Sequence, residues 1–422
     1  MRGRKQKLML GRRVLKLGSR GSDVGQLQER LKDFGYEPGP VDNIFGYLTQ
    51  EALEFFQRDY RLKIDGVAGR EVFALLNRAE LPITRRVHVV QPGETLASIA
   101  EQYQVGPEAF FDHYKKEIYP GQQLVFYDRE VWGVLTDDLA AQDSFAANQE
   151  LLTGVFFPVN PEQGIPRFVQ EITCPKIARV VFAETELISI HTILTRRKTR
   201  REFLQFCREL SAKADGLWLD WEQISRVDGY RYFKLLRTIK KQSGFRRLII
   251  TITGEMPRWN LLGGIDFAAV SRTADQVVAK LPLPVYSSPI LDKNRFEKLI
   301  HRMLNYVPAY KILLIIPVHA LIWNEEDPTA QRLSYGEAMA KAYRHGARLE
   351  TDSEGKPFYR FLHQQKEWML RISTLEQLNQ ILALANRYNL AGIVLDRIGE
   401  EDRRFWARIR NHFCISKHFF GR

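Results

Sequence analysis

The sequence predicts a multidomain protein: an α/β (β/α)8 barrel of the TIM type with an α+β insertion, preceded by an all-α three-helix unit and a βααβ unit. Three observations carry this. A chain of 422 residues exceeds one ordinary domain and reads as two to four units. Eight short apolar runs alternate with helical patterns through its last two thirds, as a closed parallel sheet requires. The first 127 residues are instead punctuated by Gly, Asp and Pro turns at two different periodicities.

Boundaries follow from these changes of pattern. Residues 1–11 form a basic leader, 12–79 the three-helix unit, 80–86 a linker, 87–127 the βααβ unit, 128–413 the barrel with an insertion at 334–372, and 414–422 a tail. In the first unit Val24, Leu27, Leu31 and Phe34 keep helical spacing until Gly35; Ala52, Leu53, Phe55 and Phe56 mark a second helix, and Val72, Leu75 and Leu76 a third. Two Asp-led turns, 41–46 and 64–69, precede the later helices, where glycine permits positive φ. Thr49 is placed to cap the second helix. With Gly18-Ser19-Arg20-Gly21-Ser22-Asp23-Val24, Leu27-Gln28, Phe45-Gly46, Phe56-Gln57 and Asp65-Gly66, this segment resembles the peptidoglycan-binding domain type 1.

In the second unit a strand at Val87 and Val89 leads to Gln91-Pro92-Gly93-Glu94-Thr95. Thr95 caps a helix lined by Leu96, Ile99, Ala100 and Tyr103, a second short helix holds Ala109 and Phe110, and Tyr119-Pro120-Gly121-Gln122 turns into a closing strand. This pattern resembles a LysM module, which implies binding of N-acetylglucosamine chains. It departs from that family at Asp112-His113-Tyr114-Lys115-Lys116, where an Asn and a longer loop are usual.

The barrel strands are expected at Val131–Leu135, Gly154–Pro158, Val180–Ala183, Gly216–Leu219, Leu248–Ile252, Val277–Ala279, Ile312–Pro317 and Ile393–Leu395. The most informative segment is Asp215-Gly216-Leu217-Trp218-Leu219-Asp220-Trp221-Glu222. Alternate strand residues share a face, so Asp220 and Glu222 project together from a strand's carboxyl end, where such barrels carry their chemistry. The segment resembles the D-x-x-D-x-D-x-E signature of family 18 glycoside hydrolases, with Asp215, Asp220 and Glu222 matching and Trp218 in place of the middle Asp. Together with the insertion and the two N-terminal units, the whole resembles the spore germination and cortex-lytic N-acetylglucosaminidases of endospore-forming bacteria.

That resemblance implies substrate-assisted chemistry, in which the substrate's N-acetyl oxygen attacks the anomeric carbon. Glu222 would be the general acid and Asp220 the clamp on the acetamide, with Asp215 the signature's first residue. Trp218, Trp221, Trp323 and Asp396 are the expected substrate contacts, with Trp259 a further ring that could stack, although each tryptophan alone also reads as core. Asp396 stands where the family has a sugar-flooring Trp; it reads either as a new acid in the pocket or as a partner of Arg397. Lys280-Leu281-Pro282-Leu283 replaces the family's Met-x-Tyr-Asp run. One lost donor costs on the order of 10² to 10³ in rate, and such losses need not multiply. The expectation is therefore a glycan-binding barrel with impaired hydrolysis; the alternative is an active N-acetylglucosaminidase of altered specificity.

Composition bounds the rest. With 45% hydrophobic and 27% charged residues the chain is globular. No apolar run reaches the roughly 18 residues of a membrane span. The start lacks an apolar signal region, which needs about 7 to 15 residues. The expected location is a spore envelope or cell wall reached without a standard signal, with the cytoplasm as runner-up. Cys174, Cys207 and Cys414 have no metal-ligand spacing and read as buried thiols. Neither metal nor cofactor is expected. The net charge of +12 suits an anionic polymer such as peptidoglycan or, equally, a solvated basic surface. Nucleic-acid binding would rest on charge alone and ranks last.

Overall fold

The computed structural model describes residues 10–60, 62–77, 85–110, 117–162, 164–182, 186–222, 224–254, 264–281, 291–324, 326, 330–352 and 356–417. The positions 111–116, Trp259, Pro282 and Leu283, which entered the sequence reading, lie outside them.

The three-helix unit comprises helices Ser22–Asp33, Tyr47–Asp59 and Arg70–Leu76 around Leu27, Leu31, Leu53 and Phe56. Its two Asp-led turns are held in the same way. The Gln28 Nε2 donates to Asp42 Oδ1 (2.9 Å) and the Ile44 carbonyl, while its Oε1 accepts from the Asn43 N–H. Gln57 repeats this on Asp65, Val67 and the Gly66 N–H. Asn43 and Gly66 occupy matching left-handed positions at φ 64° and 65°. The Leu-Gln and Phe-Gln pairs therefore build the turns. Thr49 is not the cap: Gly46 precedes the helix, and Thr49 lies in its first turn, where its hydroxyl donates to the Pro38 carbonyl. Leu10, assigned to the leader, is buried and exchanges hydrogen bonds with Asn77.

The strands, in chain order, are β1 (Arg85–Val89), β2 (Gln123–Val134), β3 (Gly154–Val159), β4 (Lys176–Val180), β5 (Gly216–Leu219), β6 (Arg247–Thr253), β7 (Gln276–Lys280), β8 (Ile312–Pro317), β9 (Ala320–Asn324), β10 (Gln331–Leu333), β11 (Arg348–Thr351), β12 (Pro357–His363), β13 (Lys366–Arg371), β14 (Gly392–Asp396) and β15 (Cys414–Ile415). The βααβ unit pairs β1 antiparallel with the first half of β2. Thr95 and Ser98 form a reciprocal cap on helix Leu96–Gln102, and residues 107–109 make a single 3-10 turn.

β2 then runs on without a break. Residues 130–134 enter the barrel, pairing in parallel with β14 on one side and β3 on the other. The remaining parallel pairings, β3 to β8 in order and β8 with β14, close eight strands into a barrel. β15 also pairs with β2, at Asp128–Arg129, so the expected tail starts as part of the sheet. Gly106 donates its N–H to the Asn411 carbonyl (2.8 Å), joining the βααβ unit to the C-terminal helix. The three-helix unit docks through Tyr127 and Tyr310, which share its core, and through Asn389, whose amide donates to the Asp59 carbonyl.

Strand alternation sorts the barrel residues. Trp132, Phe156, Trp218, Ile249, Val278, Leu313 and Val394 pack together inside. Leu217, Leu219 and Trp221 face the surrounding helices. One expected strand is displaced: the third spans Lys176–Val180 rather than Val180–Ala183. Its two cationic residues mask the strand, and Arg179 lies inside the barrel. The insertion also begins earlier than Ser334. β9 and β10 belong to a five-stranded antiparallel sheet, in the order β10, β9, β13, β12, β11, packed against helix Tyr335–Arg344.

Candidate functional site

A cavity of about 280 Å³ opens at the carboxyl ends of the barrel strands, lined among others by Thr136, Pro158, Arg179, Lys280, His319, Arg332, Asp396 and Arg397. The period-two pattern of β5 places Trp218, Asp220 and Glu222 on the inner face. Asp220 and Glu222 do converge, and the point of convergence is a cation: Lys280 Nζ lies 3.6 Å from Asp220 Oδ2 and in contact with Glu222 Oε1.

Asp220 is 5% exposed and heavily engaged. Arg179 donates to its Oδ2 from Nε (2.8 Å) and Nη2 (2.5 Å), and Thr251 donates its hydroxyl proton to Oδ1 (2.5 Å). Arg179 Nη1 reaches Asp396 Oδ1 at 3.1 Å. One guanidinium thus binds two carboxylates from opposite sides of the barrel. Its carbon also stands 4.5 Å from the centre of the Trp218 ring. The Trp218 Nε1 donates to Thr251 Oγ1 (2.9 Å), which makes Trp218 a support for Asp220 through one hydroxyl.

Burial opposes charge on Asp220, but Arg179 and then Lys280 outweigh it and hold its carboxyl below the ordinary aspartate range. Burial also opposes charge on Asp396, and Arg179, Arg332 and Lys280 drive its carboxyl well below that range. Burial would discharge Lys280, yet Asp220 and Glu222 keep its ammonium above the usual lysine value. His319, 2% exposed, is pushed down to about 4 by burial first and by Arg332 second, so its imidazole is neutral near pH 7. Its Nδ1 is buried and has no hydrogen-bond partner among the described residues.

The other expected site residues lie elsewhere. Asp215 sits at the opposite end of β5, where its Oδ2 accepts the Lys176 N–H (3.0 Å) and its carbonyl the Arg246 N–H. Neither Trp218 nor Trp221 offers a ring to a sugar, since both are fully buried. Trp221 points outward, packed on Phe203 and Tyr232, because it is one residue out of phase with Asp220. Trp323 is 7% exposed and packs with Leu321 in the insertion sheet. Of the substrate contacts expected from sequence, Asp396 alone lines the cavity, and it pairs with Arg179 rather than with Arg397, which binds Glu400. Neither Arg179 nor His319 belongs to a motif that the sequence marks for a site. An arginine interrupting an apolar strand run was the available signal. Among the described residues no cluster of His, Cys, Asp and Glu is placed to hold a metal ion, and no helix is long and apolar enough to cross a membrane.

Comparison with known proteins agrees with this architecture. Residues 20–76 match the family "Putative peptidoglycan binding domain" and residues 88–126 the LysM domain. Among curated proteins the chain is 42% identical over 66 residues to a spore cortex-lytic enzyme of Bacillus cereus, covering 16% of this chain and 26% of that one. It is 46% identical over 56 residues to the N-acetylmuramoyl-L-alanine amidase CwlM of Mycobacterium tuberculosis, covering 13% and 14%. The chain thus spans about a quarter or less of these relatives. Among solved structures the Bacillus cereus spore cortex-lytic enzyme SleL aligns with a TM-score of 0.59 at 15% identity, over 96% of this chain and 99% of that one. A chitinase from Chromobacterium violaceum aligns with a TM-score of 0.56 at 15% identity, over 68% and 100%. At these identities the likeness establishes the fold.

Proposed function

We propose that this chain binds peptidoglycan of a bacterial cell wall or spore cortex through its two N-terminal domains, and that its barrel receives an N-acetylglucosamine-containing glycan with hydrolysis impaired. The matches of residues 20–76 and 88–126 support the binding half. One observation carries the impairment. Asp220, the carboxylate that would clamp the acetamide, already has Arg179 on one oxygen and Thr251 on the other. Trp218 stands where its proton-sharing partner would be, and Lys280 meets Glu222 where a general acid must present a proton.

The test uses the full chain, since a cut after residue 127 would fall within β2. The protein should sediment with insoluble peptidoglycan at low and moderate salt; recovery in the supernatant under both conditions refutes the binding reading. On a cortex-peptidoglycan zymogram it should leave little or no clearing. Strong clearing that Glu222→Gln abolishes would refute the impairment.

A second reading, an active N-acetylglucosaminidase with Glu222 as acid, is favoured by one feature. The Glu222 side chain is 29% exposed, whereas that of Asp220 is 2% exposed. A substrate that drew Lys280 aside would meet Glu222 first.

A further inference from the structure

The cavity is electrically divided. On its inner side Arg179 and Lys280 face Asp220, Asp396 and Glu222. On its outer side two arginines share one acid: Arg332 Nε donates to Glu400 Oε2 (2.5 Å) and Arg397 Nε donates to Glu400 Oε1 (2.7 Å). Both guanidiniums are tethered through Nε, which leaves their Nη groups without hydrogen bonds among the described residues. Arg332 Nη2 also lies 3.9 Å from Asp396 Oδ1, and Asp396 is already bound by Arg179. The two side chains are 33% and 40% exposed, so a ligand entering the cavity meets them. Arg332, Arg397 and Arg295 thus line the cavity with Asp396 as the one acid among the lining residues, while Glu400 and Asp138 stand close to Arg397. His319 adds a buried, unpartnered Nδ1 on the same wall.

We propose that this rim recognises a carboxylate on the sugar that enters the barrel, so that the cavity prefers an N-acylated amino sugar bearing an acid group, of the muramic acid type, over neutral N-acetylglucosamine. The inference rests on the glycan-binding reading above and narrows it. A carboxylate is planar and accepts two parallel hydrogen bonds from each guanidinium edge, and guanidiniums already oriented by Glu400 lose little freedom on binding it. The neutral His319 imidazole can take or give one hydrogen bond to a sugar hydroxyl without adding charge. A neutral sugar leaves the rim guanidiniums to water.

The test compares three probes on the full chain by titration calorimetry or ligand-observed NMR: N-acetylmuramic acid, its methyl ester and N-acetylglucosamine. The acid should bind at least about tenfold more tightly than the ester, which keeps the shape and removes the charge; that is the low end of what hydrogen bonds to an ionised group contribute. Arg332→Gln and Arg397→Gln should each remove most of this preference, and raised salt should weaken it. Glu400→Gln should enlarge it, because the arginines then lack their internal counter-charge. Both arginines stand at a solvent-facing rim, so folding of the variants can be checked by circular dichroism beside wild type. Equal binding of acid and ester, no binding of any probe, or a preference unmoved by both arginine variants overturns the proposal. If the chain still sediments with peptidoglycan, the wall-binding reading survives that outcome; if it does not, both fall.

Discussion

Replacing Arg179 by Met removes the guanidinium that hydrogen-bonds both Asp220 and Asp396 across the barrel mouth. Its guanidinium lies 2.5 to 2.8 Å from Asp220 and 3.1 Å from Asp396. Those side chains are 2% and 14% exposed, so neither can recover its charge stabilisation from water. Breaking a buried pair from one side costs about 3–5 kcal/mol, because the partner charge stays buried. Lys280, 3.6 Å from Asp220, and Arg332, 3.9 Å from Asp396, offset part of this and set the lower bound. The pH response should reverse as well. In the wild type both carboxyls are held below their unfolded value, so their contribution is present above about pH 4 and is lost only on acidification. In Arg179→Met one of two facing carboxyls should hold a proton in the folded state, and stability should fall as pH rises from about 4 toward neutrality. All seven tryptophans lie after residue 128, so urea unfolding followed by tryptophan fluorescence reports on the barrel segment. The midpoint at pH 7.5 should drop by roughly 1 M or more, and by less at pH 5. The triple variant Arg179→Met with Asp220→Asn and Asp396→Asn carries none of these charges and should recover much of the loss. An unchanged midpoint in the single variant, or a triple variant no better than the single, refutes the argument that this arginine is held by charge balance.

Two further outcomes follow from the same electrostatics. His319 titrates near 4 in the folded chain and near 6.5 unfolded, so the unfolded state binds more protons between those values and stability rises with pH across that window by roughly 3 kcal/mol at most. His319→Gln should flatten the unfolding midpoint between pH 4 and 6.5; an undiminished slope would show that other groups carry it. At the other end of the barrel Glu130 accepts from Trp132 Nε1 (2.7 Å), Arg247 (2.9 Å) and Gln276 (3.1 Å). Glu130→Leu should cost roughly 3 kcal/mol by urea unfolding while leaving the binding proposed for the mouth within about twofold of wild type in the folded fraction.

The fold was legible where one residue type at one spacing has one physical use. Alternation in β5 put Asp220 and Glu222 on one face, and the structure has them meet at Lys280. The same rule, applied one residue further, turns Trp221 away from the mouth, in keeping with its alternative reading as core. Arg179 was missed for a deeper reason. An arginine in a strand reads as an edge or surface residue, and only the closure of β4 beside β5 and the approach of β14 from the far side bring Asp220 and Asp396 to it. Sequence neighbours cannot reveal a charge balance made across 217 residues. The early start of the insertion was hidden by composition, since Ala320-Leu321-Ile322-Trp323 continues the apolar run of β8 after Pro317.

The placement of the three units constrains how one chain could use a polymer. Tyr127, Tyr310 and Asn389, which receive the three-helix unit, all precede the barrel stretches of β2, β8 and β14 and therefore mark the barrel's amino end. The cavity with Lys280, Asp396 and Arg397 is at the carboxyl end. A five-residue strand such as β14 separates those ends by about 17 Å at roughly 3.3 Å per residue, before any loop is counted. Because β2 passes unbroken from the βααβ unit into the barrel, that separation is built into a continuous strand. A second binding event gains effective concentration only when the ligand spans both sites. Long glycan strands, or neighbouring strands of a network, should therefore bind the full chain far more tightly than any short oligosaccharide. Tetrasaccharide binding as tight as sedimentation with the insoluble polymer would show that the two N-terminal domains and the barrel mouth do not act together.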